Sequence, residues 1–191
     1  MERSFTIVSL FSYFLRLKFS WKKCKYINTI LAIDQSTIKT GIAIFKDNKF
    51  EKYDLIDLHK QTENSELRFK NMCFEICVWI KETQPNYVVF EDVSLQTNVK
   101  TLVLLAQLQG VIIGCCQLYD IPYKIYKPSS WRKILKFQQG RGVERKALKQ
   151  QSKDYVKKNY SLDVNDDIAD AICIGQAYIN ENKLTEIKGD K

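Results

Sequence analysis

Four carboxylates stand where carboxylates are costly. Asp34 ends the apolar run Ile30-Leu31-Ala32-Ile33, and Glu91 ends a second, Tyr87-Val88-Val89-Phe90. Asp167 and Asp170 lie three residues apart, just before Ala171-Ile172-Cys173-Ile174. Burying an unpaired carboxylate is unfavourable, so one such acid reads as a strand-end cap. Two of them, joined by an i,i+3 pair that shares one helix face, read as a site that collects a hard cation. All-oxygen ligands of this kind suit Mg²⁺ or Mn²⁺. The bland alternative is a set of unrelated surface and capping acids.

The elements that must position these acids belong to a chain of 191 residues and 45% hydrophobic composition, enough for one globular domain with a core. The net charge is +8 and is unevenly spread: between Lys124 and Lys158 twelve Lys and Arg face only Glu144 and Asp154. Such a run is either a solvated face or a polyanion-binding surface. Beside an acidic cluster it is what a metal-dependent nuclease needs, with cations to hold phosphates and acids to hold the metal. Six cysteines (24, 73, 77, 115, 116 and 173) and one histidine, His59, occur without a C-x-x-C. Cys73 and Cys77 are i,i+4, but no second pair lies nearby, so the cysteines read as small buried hydrophobes in a reducing, cytoplasmic setting.

Residues 1–26 differ from the rest. Phe5 to Leu15 is apolar and aromatic, and basic residues follow it. The run is too short to span a bilayer, and it reads as an extension, poorly ordered or a basic surface helix, with no membrane partner expected. Residues 27–182 read as one α/β domain and 183–191 as a tail. Residues 28–34, 40–46 and 49–58 pattern as three strands joined by hairpins, with a turn at Lys46-Asp47-Asn48-Lys49. A helix over 63–83 stops at Gln84-Pro85-Asn86, and a fourth strand occupies 86–91. The segment 98–119 is apolar nearly all round, which predicts a helix covered on both sides, the second by another subunit. A strand at 121–126, a short helix at 129–136, the loop Gln138-Gln139-Gly140-Arg141-Gly142 and helices at 143–159 and 166–181 complete the chain. The expected architecture is α/β and RNase H-like: a five-stranded mixed sheet, three antiparallel strands then parallel ones, flanked by helices.

The strings LAIDQSTIKTGIAIF (31–45), VVFEDVSLQ (88–96), LAQLQGVI (105–112), KPSSWRKIL (127–135), FQQGRGVERKALK (137–149) and DDIADAICIG (166–175) occur in that order. As a set they resemble RuvC-type Holliday junction resolvases, and within them the branch carried by bacteriophages of Gram-positive hosts. Asp34 matches the family's first-strand aspartate, Glu91 its second acid, and Asp167 with Asp170 the closing D-x-x-D-A pair. Lys127 resembles a lysine beside the site, and Arg145 or Lys146 takes the place of a second basic residue. Bacterial members carry an aromatic three residues after the second acid; here that position is Ser94, which points to a more permissive choice of branches. Asp166, next to Asp167, would cap the last helix or compete as a ligand.

The resemblance implies hydrolysis of a DNA phosphodiester with two Mg²⁺ ions, Mn²⁺ substituting, about 4 Å apart. Asp34 would bridge them, Glu91 would hold one, and Asp167 with Asp170 the other. Lys127 or Lys146 would offset charge in the transition state. Lys127, Arg132, Arg141, Arg145, Lys146, Lys149 and Lys153 are the candidate DNA-contacting residues. Trp131 would either stack on a base or pack the short helix onto the sheet. The implied partners are branched DNA, four-way junctions above all, and a second copy of the chain, since a junction offers two equivalent strands to cut. The competing readings are a branched-DNA binder without activity and an RNase H-like nuclease acting on RNA or hybrids.

Overall fold

A computed structural model describes residues 28–60, 64–94 and 98–189; the extension read at 1–26 lies outside them. Strands β1 (Thr29–Asp34), β2 (Lys39–Lys46) and β3 (Lys49–Asp57) come first. Asp47 and Asn48 both take positive φ at the β2–β3 turn, the backbone a tight hairpin requires. Helix α1 (Ser65–Thr83) starts where the Asn64 side chain accepts from the amides of Glu66 and Leu67, satisfying amides the helix leaves open. There follow β4 (Tyr87–Glu91), α2 (Val99–Leu118), β5 (Tyr123–Tyr126), α3 (Pro128–Ile134), α4 (Arg145–Tyr160) and α5 (Asp166–Gly189). Proline opens α3 at the position where its missing N–H costs nothing.

The sheet order is β3-β2-β1-β4-β5. β1 pairs antiparallel with β2 and parallel with β4, and β4 pairs parallel with β5. The five-stranded mixed sheet with helices on both faces is the expected RNase H-like arrangement. Side chains alternate along β1. Ile30 and Ala32 face the layer that contains α3, α4 and α5, whereas Leu31 and Ile33 face α1 and α2. The same parity that points Ile30 and Ala32 toward α5 carries Asp34 to that side. Val89 lies in the same core, so the parity of β4 sends Glu91 there as well.

Two glycines set how closely α5 approaches. A Cβ at Gly41 of β2 would lie 2.0 Å from the carbonyl oxygen of Asp167, and one at Gly175 of α5 would lie 2.2 Å from the Phe45 ring. Helix α5 consequently lies across β2, β1 and β4 in the middle of the sheet.

Several boundaries move. β5 begins at 123, because Pro122 has no N–H to offer a ladder. α4 begins at 145, after a turn in which the Val143 amide donates to the Gly140 carbonyl. α5 runs to Gly189, through most of the stretch read as a tail. In this protomer α2 is not covered on both sides: Leu108, Ile112 and Cys116 are buried, but Val103 is 48% and Leu118 65% exposed. By length and composition alone α2 is long and apolar enough to cross a membrane; here its inner side packs on the sheet and against α1.

Candidate metal centre and nucleic-acid cleft

The four acids meet at one open cleft of about 640 Å³ on the α5 side of the sheet. β1 ends there with Asp34 and β4 with Glu91, while the first turns of α5 bring Asp167 and Asp170. Asn165 accepts from the Ile168 amide and so caps α5. The cap read for Asp166 is therefore corrected: Asn165 takes it, and Asp166 forms an ion pair with Lys149.

Electrostatics separate these acids. Burial pushes the Asp34 carboxyl well above the ordinary carboxylate range, and the charges of Asp170, Glu91 and Asp167 push it further. Burial raises Asp170 to about 6, with the Glu91 charge adding to it while Ser152 and Arg132 oppose. Glu91 is raised by burial against a hydrogen bond from Trp131 and the charge of Arg132. Asp167 is raised by burial and by its neighbour Asp166. Asp166 is the exception: burial pulls its pKa up, but the hydrogen bond from Lys149, a backbone hydrogen bond and the charges of Lys149 and Lys153 together leave it lowered. Burial raises the pKa of all four carboxyls, and that penalty on the charged form is what a divalent ion relieves.

An orphaned oxygen favours such an ion. Asp170 Oδ1 is buried with no hydrogen-bond partner, where nearly all buried polar atoms find one. Among the described residues, no group of three or more Asp, Glu, His or Cys side chains stands close enough together to hold a metal ion. The acids share a cleft and not yet a point, and Glu91 is drawn toward Trp131, whose Nε1–H donates to its Oε1 at 2.8 Å.

The basic residues divide. Arg132, Arg145 and Lys149 line the cleft, and Lys127 with Arg132 lines an adjoining depression of about 390 Å³. Arg145 and Lys149 are i,i+4 on the inner face of α4. Lys146, one residue round the helix from Arg145, is exposed and does not line the cleft. Arg141 stands exposed between Gly140 and Gly142, both at positive φ. Lys153 lies further along α4 and acts on Asp166 through its charge. Trp131 is fully buried, so packing, not base stacking, is its role.

Two cleft residues escaped the sequence reading. Gln35 donates through Nε2 to the Glu91 carbonyl, tying β1 to β4, and its Oε1 is buried without a partner. Asp92 accepts from Gln109 Nε2 of α2 at 3.2 Å. Each adjoins a recognised acid, and only that adjacency marked it.

A protein-family model described as "Crossover junction endodeoxyribonuclease RuvC" matches residues 30–177. The RuvC endonuclease of Nitratidesulfovibrio vulgaris strain Hildenborough is 24% identical over 163 residues, spanning 84% of this chain and 96% of its own. That of Brachyspira hyodysenteriae is 27% identical over 161 residues, spanning 81% and 95%. The structure resembles Thermus thermophilus RuvC solved with a Holliday junction substrate, with TM-score 0.61 at 10% identity over 82% of this chain and 96% of the other. It also resembles the yeast mitochondrial Holliday junction resolvase, with TM-score 0.53 at 13% identity over 80% and 78%. At such identities the structural likeness speaks for the fold.

Proposed function

The chain belongs to the RuvC family of crossover junction endodeoxyribonucleases, metal-dependent nucleases, and from that premise we propose that it resolves Holliday junctions and other branched DNA by hydrolytic nicking. One observation carries the reading: β1, β4 and α5 deliver four buried or half-buried carboxyls with raised pKa values to a single cleft that Arg132, Arg145 and Lys149 line. Asp34, Glu91, Asp167 and Asp170 would hold Mg²⁺, two ions per site, with Mn²⁺ substituting. When bound, such ions supply an activated water and neutralise charge at the scissile phosphate. The chain's own cations do the rest. Arg145 and Arg132, which line the cleft, would offset charge on the pentavalent phosphorus as it develops, with Arg145 rather than Lys146 as the second basic residue. Lys127, Arg141 and Lys153 would hold flanking phosphates, giving affinity without base reading.

Two equivalent strands cross a four-way junction, so a two-fold dimer would supply one site to each. The outer face of α2 supports that assembly: Val103 and Leu118 are exposed, and a Cβ added at Gly110 or Gly114 would meet nothing within 4 Å. The protein would act in the cytoplasm. The test is a panel of labelled four-way, Y-shaped, linear duplex and RNA–DNA hybrid substrates in Mg²⁺. Cutting confined to branched DNA is expected; preferential cutting of the hybrid, or tight binding without cutting, would overturn the reading.

A further inference from the structure

Trp131 is completely buried, and a buried indole must find an acceptor for its N–H. The acceptor here is not a backbone carbonyl but Oε1 of Glu91, at 2.8 Å. We propose that Trp131 is a positioning residue of the metal centre: its N–H pins one oxygen of Glu91, so that the other is presented to the divalent cation in a single orientation. The inference rests on the nuclease reading, in which Glu91 is a ligand.

The donor is held rigidly. The Trp131 ring meets Phe137 edge-on at 5.8 Å, and Phe137 meets Tyr155 of α4 at 5.7 Å. The indole is thus clamped between α3, the loop after it and α4. Arg132 stacks over the same ring at 4.6 Å and brings its guanidinium to 3.7 Å from that same Oε1. Both approaches fall on Oε1, which leaves Oε2 without either.

The chemistry of the donor also suits the task. At 3.7 Å Arg132 is beyond hydrogen-bond reach, so the one close donor is neutral. An indole N–H orients a carboxylate without cancelling the negative charge a cation needs, as a bonded Lys or Arg would. Partners that orient metal ligands in this way change metal affinity by roughly 10–100-fold when removed.

Trp131→Phe keeps the aromatic packing and deletes the N–H. Mn²⁺ binding without DNA, followed by electron paramagnetic resonance of the free ion, should weaken by roughly 10–100-fold. Junction binding in EDTA should be unchanged, and cleavage should recover as Mn²⁺ is raised. A folded W131F with wild-type Mn²⁺ affinity overturns the proposal. If wild type takes up no Mn²⁺, or Asp34→Asn takes it up as tightly as wild type, the nuclease reading falls and this proposal with it. A second measurement needs no change at 131. In ¹⁵N-labelled protein carrying Trp21→Phe and Trp79→Phe, the single remaining indole N–H resonance should move on addition of Mg²⁺. A resonance unmoved at saturating Mg²⁺ overturns the proposal even where W131F does not fold.

Discussion

Gly41→Ala tests whether a close approach of two backbones builds the site. Gly41 is the β2 partner of Asp34, and a Cβ there would lie 2.0 Å from the carbonyl oxygen and 2.5 Å from the carbonyl carbon of Asp167. Ordinary contact begins at 3.4 Å, and both sides of the clash are backbone, so the start of α5 must retreat from β2 by more than an ångström. Asp167 and Asp170 would retreat with it, away from Asp34. Overpacking of this kind costs about 1–3 kcal/mol. In a chain of this size each kcal/mol is worth about 2–4 °C, so the melting temperature should fall by roughly 2–12 °C. Misplacing a catalytic constellation by ~1 Å costs about 100-fold in rate. The assay is single-turnover cleavage of a labelled four-way junction in Mg²⁺, beside a thermal melt and a binding assay in EDTA. Cleavage should drop about 100-fold while binding persists, because Lys127, Arg141 and Arg145 stand on other elements. A variant with wild-type melting temperature and wild-type cleavage would refute the reasoning.

Other consequences can be measured directly. In EDTA the raised carboxyls bind protons more tightly folded than unfolded. Their contribution to stability is therefore greatest below their unfolded pKa of about 4 and is lost as pH rises through about 6, where Asp170 ionises. Asp170→Asn should melt higher than wild type at pH 7.5 without metal, and the gap should close toward pH 4.5; a gap that grows as pH falls contradicts the sign. Val103→Asp, on the exposed side of α2, should yield folded monomer by light scattering, whereas the same change at buried Leu108 should unfold the chain; a stable dimer of the Val103 variant would move the interface elsewhere. Arg141→Ala should shrink the slope of log affinity against log salt by about 0.9, and an unchanged slope would return that loop to solvent.

Much of this site was legible because period and price coincide. An acid that closes an apolar strand is costly enough to be noticed, and the two-residue period of β1 and β4 carries Asp34 and Glu91 to one face without reference to any neighbour. The D-x-x-D spacing needed only helical geometry. Contacts between distant segments were not legible. Gly41 reads as an ordinary strand residue until α5 is laid against it, and the N–H of Trp131 has no visible target until Glu91 is beside it. The choice between Arg145 and Lys146 stayed open for a simpler reason: neighbouring helical positions differ by about 100° in direction, so a charge run shows that a helix is basic but not which cation turns inward. The helix at Val99–Leu118 read as covered on both sides because composition cannot distinguish a buried face from one awaiting a second subunit.

The central claim is that Asp34, Glu91, Asp167 and Asp170 act together as a metal centre that cuts branched DNA. Asp34→Asn tests it most directly, with a labelled four-way junction incubated with wild type and variant in Mg²⁺ and in EDTA. Wild type should give paired symmetric nicks in Mg²⁺ only, and the variant should bind the junction undiminished without nicking it. Nicking by Asp34→Asn at the wild-type rate, or by wild type in EDTA, would contradict that claim.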